Sequence, residues 1–520
     1  MQNYRFNNLY QIITNNAKTA PNKTMIWDGE LKLNNSEFKQ RIDQIASFLN
    51  SNGINRGDKV ALIMSNSWEF IACVFAISKI GGIFVPVNNF LKEDEFAYIV
   101  NDAQAKMVIA SSKFAKDVQN LITKANIDKI VWVDNPPLSN EKNLNLALAF
   151  NPNFTQVDAY DSQLENTACF VYTSGTTGKP KGAMLSFKNI LSNCFGSQKL
   201  MDLKEGQLKI IAYLPMFHAF TLTVNVLLPI ATNSGVIVIR SISNKKDFKH
   251  LLKTLLFSRC RYFTGVPDIY SAMANAKLPW YFHWFHSVRG FISGAAPLSD
   301  EVMRKFRANF RRGTLLQGYG ISECSPVVSC NTLKANREGS VGRPLEGYEV
   351  MAFSEDMQAL PANSIGELCV KGDCVMQGYY NRENDTADAI VNDWFRTGDI
   401  GKVDKDGYIY IIDRKKDLII SKGMNIYPRE IEEILYTHPK VNACAVIGIA
   451  EKDGNEIPVA YIELKEGENA TEGEIKDFVR PNLASFKQPK RVVFMDKLPR
   501  NATGKILKRE LRDLHKAQGN

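Results

Sequence analysis

Residues 172–182 read YTSGTTGKPKG and follow directly on the apolar run 168–171. Threonines, a serine, three glycines and two lysines crowd into these eleven residues. Glycine frees the backbone to curl, hydroxyls and amide N–H groups supply donors, and lysines supply positive charge. A loop of this make-up leaving a buried strand is suited to holding polyphosphate. It is not a Walker loop, because Lys179 follows GTTG and precedes Pro180 instead of Ser or Thr.

On either side of this loop strands alternate with helices. Ser36 can cap a helix whose apolar positions Phe38, Ile42, Ile45, Phe48 and Leu49 share one face. Asn52-Gly53 ends it, and KVALIMSN (59–66) reads as a strand. Next come a helix through Phe70, Val74 and Ile77, a strand at 83–87, a helix at 93–101, a strand at 107–111, a helix at 113–125 and a strand at 130–133. RYFTGVP (261–267) and VRGFISGAAPLS (288–299) continue the pattern beyond the loop, with the aromatic stretch LPWYFHWFH (278–286) between them as a helix on the sheet. The alternation predicts parallel sheet with helices on its faces. From 339 to 413 the period shortens to two, which predicts antiparallel sheet. The composition changes again at DRKKD (413–417), and the chain beyond that point has helices and strands of its own. The reading is therefore an α/β chain: a large N-terminal domain (1–413) of parallel sheets with flanking helices plus a β region, and a small, mobile α+β C-terminal domain (414–520) on a charged hinge.

Bulk properties agree. A chain of 520 residues exceeds what one core supports, so at least two domains are expected. The net charge is +9, and residues 487–516 hold ten basic side chains against three acidic ones. Nine cysteines without a CxxC pair and six dispersed histidines point to reduced thiols and no zinc site. The opening MQNYRFNNLYQ has no apolar h-region, so a cytoplasmic location is expected. No Asp, Glu, Lys or Arg lies between Lys209 and Arg240, but Pro215, His218, Asn225, Pro229, Asn233 and Gly235 break that run. Strand, turn, buried helix, turn, strand fits it better than a membrane span.

Four further polar motifs lie beyond the loop: QGYGISECSP (317–326), WFRTGDIG (394–401), IDRKKDLIISKGMNIYP (412–428) and LPRNATGKILKREL (498–511). In this order the five motifs resemble the adenylate-forming acyl-CoA synthetases, the superfamily of fatty acyl- and aryl-CoA ligases, luciferase and peptide-synthetase adenylation domains. The resemblance covers the whole chain. It implies two steps: a carboxylate attacks the α-phosphorus of ATP, giving acyl-AMP and pyrophosphate, and the CoA thiol then displaces AMP. It also implies roles. Thr173, Ser174, Gly175, Thr176, Thr177, Gly178 and Lys179 would hold the β- and γ-phosphates, and Glu323 would ligate Mg2+. Ser322 stands where the family usually has Thr and would touch the α-phosphate. Gly294, Ala295, Ala296, Gln317, Gly318, Tyr319 and Gly320 would surround adenine, and Asp399, helped by Arg414, would grip the ribose. Lys505 would bridge the carboxylate and the α-phosphate, Lys416 would be the pivot, and Lys422 and Gly423 would face the pantetheine arm of CoA after rotation.

The acid is read from residues 217–228. Amino-acid-activating relatives carry Asp after Phe here to pair the substrate ammonium, whereas this chain has Phe217-His218. A buried ammonium without an anion is costly. His218 could gate the pocket, and Ala219, Phe220, Leu222, Val224, Val226, Leu227 and Leu228 form a wall suited to an alkyl chain. A medium- or long-chain fatty acid is the substrate expected, with an aryl-acid CoA ligase or an acyl-carrier-protein ligase as alternatives. The basic tail is explained by CoA and ATP, without nucleic acid. Peripheral contact with the inner membrane face and a homodimer stay open.

Overall fold

The computed structural model describes residues 4–517 except 126, 138–140, 152–154, 175–178, 243, 277, 279–281, 283–284, 295–297, 299, 422–423, 451–454 and 501–503. Three sheets share the large core. The first runs, edge to edge, Gly378–Tyr379, Pro180–Ser186, Thr167–Ser174, Ile83–Pro86, Lys59–Ile63, Ala105–Ala110, Lys129–Trp132, Asn143–Asn145. Its strands are parallel from Thr167–Ser174 onward, as the alternation predicts. The second orders Lys209–Ala212, Gly235–Val238, Thr24–Asp28 and Leu31–Asn34, and the third orders Tyr262–Gly265, Gly290–Ser293, Thr314–Gly320, Val327–Cys330 and Arg343–Pro344.

Local departures have local causes. The first long helix is Asn35–Ser51, capped by Asn34 and not by Ser36: Asn34 accepts from the Glu37 N–H while Glu37 reaches back to the Asn34 N–H. The helix expected at 113–125 is broken into turns at Ser112–Phe114, Ala115–Val118 and Leu121–Lys124. Only Val118 and Leu121 are buried in them, too short an apolar stripe to hold one helix down. The charge-free run folds as strand Lys209–Ala212, π-helix Thr221–Leu227 continuing into Leu228–Ala231, and strand Gly235–Val238. Among the described residues no helix is long and apolar enough to cross a membrane. Of 278–286 only Leu278, Phe282, Phe285 and His286 are described; Phe282 and His286 are buried against Phe310, and Phe285 is exposed. All nine cysteines are buried free thiols.

The antiparallel region expected from 339 to 413 is a sheet ordered Glu349–Phe353, Gly366–Lys371, Trp394–Val403, Ile390–Val391, with Ile409–Arg414 also paired to Trp394–Val403. Beyond it the apolar clusters change hands. Those built from Phe6 to Ile409 contain nothing later in the chain, and those built from Ile419 to Leu511 contain nothing earlier. The later segment carries the hairpin Ile419–Ser421/Met424–Ile426 and the sheet Val441–Ala450, Glu456–Leu464, Arg491–Phe494.

Candidate active site

The strand Thr314–Gly320 carries Tyr319 to the same point that Trp394–Val403 carries Asp399. The Tyr319 hydroxyl donates to Asp399 Oδ2 at 2.5 Å, and Arg414 Nε meets Oδ1 at 2.6 Å. Arg414 stands opposite Asp399 in the antiparallel register, so the pairing is set by the backbone. Gly398 at φ +68° turns the strand there, and the Asp399 N–H donates to Thr397 Oγ1. Only 2% of Asp399 is exposed. Burial followed by the Asp399 charge raises the Tyr319 phenol. Burial is the largest influence on Arg414 and opposes its charge, but Asp399, Tyr319, Glu323 and Asp417 together outweigh it and the guanidinium pKa rises. An aspartate with both oxygens already engaged by fixed donors is a preorganised acceptor site for paired hydroxyls.

The strands on either side of the phosphate-loop candidate, Thr167–Ser174 and Pro180–Ser186, pair antiparallel. The hairpin is tied down from outside: the Tyr172 hydroxyl and Arg382 both donate to Asp102 at 2.8 Å, and the Tyr98 hydroxyl donates to the Pro180 carbonyl at 3.0 Å. Thr173 Oγ1 donates to Glu323 Oε1 at 2.9 Å, and the Tyr379 hydroxyl donates to the same oxygen at 3.1 Å. Ser322 and Glu323 lie on the short 3-10 turn Ser322–Cys324 beside them. Gly175, Thr176, Thr177 and Gly178 lie outside the described residues. Lys179 is exposed with Nζ 5.4 Å from the Tyr98 ring centre, whereas Lys181, paired to Asp385 at 2.6 Å, lines the cavity.

Among the described residues no three His, Cys, Asp or Glu side chains cluster as metal ligands. A single carboxylate, Glu323, held by the Thr173 and Tyr379 hydroxyls, is a donor that fits Mg2+, which keeps most of its water and needs one or two carboxylates plus substrate phosphates. Glu323, oriented by two hydroxyls at the hairpin's edge, is the residue that would hold it.

A cavity of about 720 Å³ joins these parts. Its polar end holds Thr173, Ser322, Glu323, Arg414, Lys416 and Lys505, and His218 and Gly294 stand along it. Lys505 also faces a second cavity of about 670 Å³ with Gln317, Tyr319 and Asp399. Burial, then the Arg414 charge, brings the Lys505 ammonium down to about 8. Burial and the Lys505 charge bring His218 down to about 4, so its imidazole is neutral at physiological pH. Burial lowers Lys416 as well. Lys422, Gly423, Ala295 and Ala296 lie outside the described residues. The other end of the 720 Å³ cavity is lined by Leu200, Met201, Leu203, Leu208, Ile210 and Leu228.

With this geometry in view, the likeness to known proteins is decisive. The AMP-binding enzyme family matches residues 13–380, and the AMP-binding enzyme C-terminal domain matches residues 430–505. The chain belongs to the adenylate-forming acyl-CoA synthetases. It is 33% identical to a long-chain-fatty-acid–CoA ligase of Bacillus subtilis, over 97% of this chain and 94% of that one. It is 32% identical to a feruloyl-CoA synthase of Amycolatopsis, over 95% and 96%. ATP-bound MatB from Rhodopseudomonas palustris superposes with a TM-score of 0.89 at 28% identity, covering 98% of this chain and 99% of that one.

Sequence reasoning passed over several residues of this synthetase that the structure brings to the cavity. Lys181 and Tyr379 are two. Lys181 is the second lysine of KPKG, and a GYY triplet (378–380) was a signal for Tyr379 that spacing to Glu323 could not reveal. Ser197, Leu200 and Met201 come from helix Phe187–Leu200 and the residue after it, which carries no polar motif. Of the wall expected at 219–228, Phe220, Val224 and Leu228 line the cavity, while Ala219, Leu222, Val226 and Leu227 are buried in the surrounding core. The lining residues recur every four positions because the segment is helical.

Proposed function

We propose that this AMP-forming acyl-CoA synthetase activates a medium- or long-chain fatty acid with ATP and transfers the acyl group to CoA. The carrying observation is one cavity with a hydroxyl-rich end bearing lysines and Arg414, and a far end lined, among the described residues, by Leu200, Met201, Leu203, Leu208, Ile210 and Leu228. Each methylene buried there is worth about 0.8 kcal/mol, or roughly fourfold in kcat/KM. Two anions must meet at the polar end, so charge cancellation comes first. Thr173, Ser174, residues 175–178, Lys179 and Lys181 would meet the β- and γ-phosphates, and Ser322 the α-phosphate. Mg2+ held by Glu323 would neutralise phosphate charge. Gly294, Ala295, Ala296 and the strand residues Gln317 to Gly320 would bound adenine, and Asp399 with Arg414 would take the ribose. Lys505 would sit between carboxylate and α-phosphate.

The same reading divides the chain into a lobe of residues 1–413 and a lid of residues 414–520. For thioester formation the lid would turn at Lys416, withdrawing Lys505 and bringing 422–423 to the thiol's approach. Pyrophosphate release across acids from acetate to oleate, with benzoate and coumarate, run with and without CoA, tests this. Best turnover with benzoate or coumarate would overturn the fatty-acid assignment. One observation favours that second reading: Ser197 Oγ is buried in the cavity wall without a hydrogen-bond partner among the described residues, a place for a phenol.

A further inference from the structure

Asp385 is a carboxylate at the polyphosphate end of the cavity with no part in either reaction step. Its place follows from the chain after Tyr379. The short strand Gly378–Tyr379 runs antiparallel to Pro180–Ser186, and the Tyr380 N–H donates to the Gly182 carbonyl at 2.9 Å. The chain then turns into helix Glu383–Ala389, where Thr386 Oγ1 accepts from the Tyr379 N–H at 2.9 Å and donates to the Arg382 carbonyl at 2.8 Å. This fold-back sets Asp385 over Lys181. The Lys181 ammonium donates to Asp385 Oδ1 at 2.6 Å and lies 5.5 Å from the Tyr379 ring centre. The lysine side chain is 12% exposed and the aspartate 30%.

Among the described residues Asp385 makes no other hydrogen bond or ion pair. The helix does not depend on it, since Thr386 ties the turn from within and Arg382 anchors it to Asp102 at 2.8 Å. Both partners line the 720 Å³ cavity together with Thr173, Glu323 and Tyr379. Lys181 stands opposite Thr173 in the strand register, and Thr173 in turn donates to Glu323. Two carboxylates thus flank this end, differently employed. Glu323 is held by neutral hydroxyls and keeps its charge for a cation, whereas Asp385 faces a lysine. A carboxylate beside a triphosphate site is repelled by it and occupies a donor that phosphate would take.

We propose that Asp385 is a positioning residue that competes with bound polyphosphate for the Lys181 ammonium, and so sets how readily pyrophosphate leaves. The proposal rests on the reading above that Lys181 meets the β- and γ-phosphates. With ATP bound, the ammonium divides its three donors between Asp385 and phosphate oxygen. Once the bond from the α-phosphorus to pyrophosphate has broken, the product is held by these contacts alone, and Asp385 takes the lysine back as it departs. The site gives up part of its hold on ATP, which adds nothing to kcat where substrate and transition state share it. In exchange a highly charged product is let go.

The test is steady-state thioester formation with the acid turned over best in the panel above, at varied ATP and with added inorganic pyrophosphate. Asp385→Asn removes the charge and keeps the shape. It is expected to lower the KM for ATP and the inhibition constant of pyrophosphate together, each about fivefold, the scale of one partly exposed ion pair. Its kcat should be no higher than that of the wild type. Asp385→Glu, which keeps the charge, should hold both constants within about twofold. Lys181→Ala should raise both constants, and in that background Asp385→Asn should move them by less than about twofold, because the aspartate acts through the lysine. Asp385→Ser gives the same reading if the asparagine variant does not fold. A pair that only braced the lysine would move the constants the other way on loss of the charge. Raised or unchanged constants in a folded Asp385→Asn, or a full fivefold change without Lys181, overturn the proposal alone. If Lys181→Ala itself leaves both constants at their wild-type values, the phosphate role of Lys181 falls and the proposal falls with it.

Discussion

Lys505 is half-buried at the junction of two cavities, and burial together with Arg414 brings its ammonium to about 8, where a free lysine titrates near about 10.4. In the proposed role the protonated form is the active one, because it offsets charge on the carboxylate and the α-phosphate. Protonation is complete below that pKa and lost as pH rises through it. The kcat/KM for pyrophosphate release, which reports the free enzyme, should therefore fall about tenfold per pH unit above about 8, two units earlier than an unperturbed lysine would allow. Lys505→Ala should reduce adenylation by roughly a thousandfold or more, on the scale of losing a charge-stabilising group. The same variant should still pass supplied acyl-AMP to CoA; equal loss in both half-reactions would remove Lys505 from its role. Glu323 is held by the hydroxyls of Thr173 and Tyr379 on one oxygen. Tyr379→Phe leaves the carboxylate in place but less well oriented, so the Mg2+ concentration for half-maximal rate should rise about tenfold or more. A magnesium titration at saturating acid checks this.

At the scale of elements, the π-helix Thr221–Leu227 and the turn that continues it set the acyl wall, with Phe220, Val224 and Leu228 on the cavity side. Val224→Phe adds a ring where an alkyl chain would lie. At about fourfold per methylene excluded, it should cut kcat/KM for a long-chain acid by on the order of tenfold to a hundredfold and leave hexanoate nearly unchanged. A substrate-length profile decides it. The same helix shows what was legible in the sequence. That residues 209–240 fold as strand, buried helix and strand could be read from Pro215, Pro229 and Gly235. Which of its apolar residues face the ligand could not, because the whole helix is buried and apolar residues stand on its core side as well as on its cavity side. Motifs rich in glycine and charge were visible for the converse reason: Gly398 and Asp399 serve a local bend and a pair of donors, so their chemistry is written in adjacent positions. Lys181 is held at the cavity by Asp385, 204 residues further on, and a one-dimensional reading has no access to such a pairing. The expected start of helix Asn35–Ser51 was displaced, since Asn34 and Ser36 are both capable caps and only the former has Glu37 three positions on.

At the scale of the molecule, in the proposed role Lys505 would stand where the thiol must later arrive, so the two reactions would compete for one volume. The connection between the core clusters is short and polar. Arg429 donates from its backbone N–H to Asp413 Oδ2 at 2.8 Å and from its side chain to the Ile411 carbonyl at 3.1 Å, Lys415 reaches Glu367 at 3.2 Å, and Arg512 reaches Asp417 at 2.8 Å. These contacts bracket Lys416, which lies on the single 3-10 turn Lys415–Asp417 and faces the cavity. A hinge works by letting one or two residues absorb a change of φ and ψ. Proline at 416 would fix φ near −65° and impose an extended preference on Lys415. Both arrangements bear the proline's strain at Lys415, which stands in the 3-10 turn here, but only the thioester step also needs φ at 416 to change. Lys416→Pro should therefore lower the transfer of supplied acyl-AMP to CoA by at least about tenfold more than it lowers acyl-AMP formation, while Lys416→Ala, which keeps the backbone free, should spare both steps to within about threefold. Separate assays of pyrophosphate release and of thioester formation distinguish the outcomes, and a proline variant that slows both steps alike would place the pivot elsewhere.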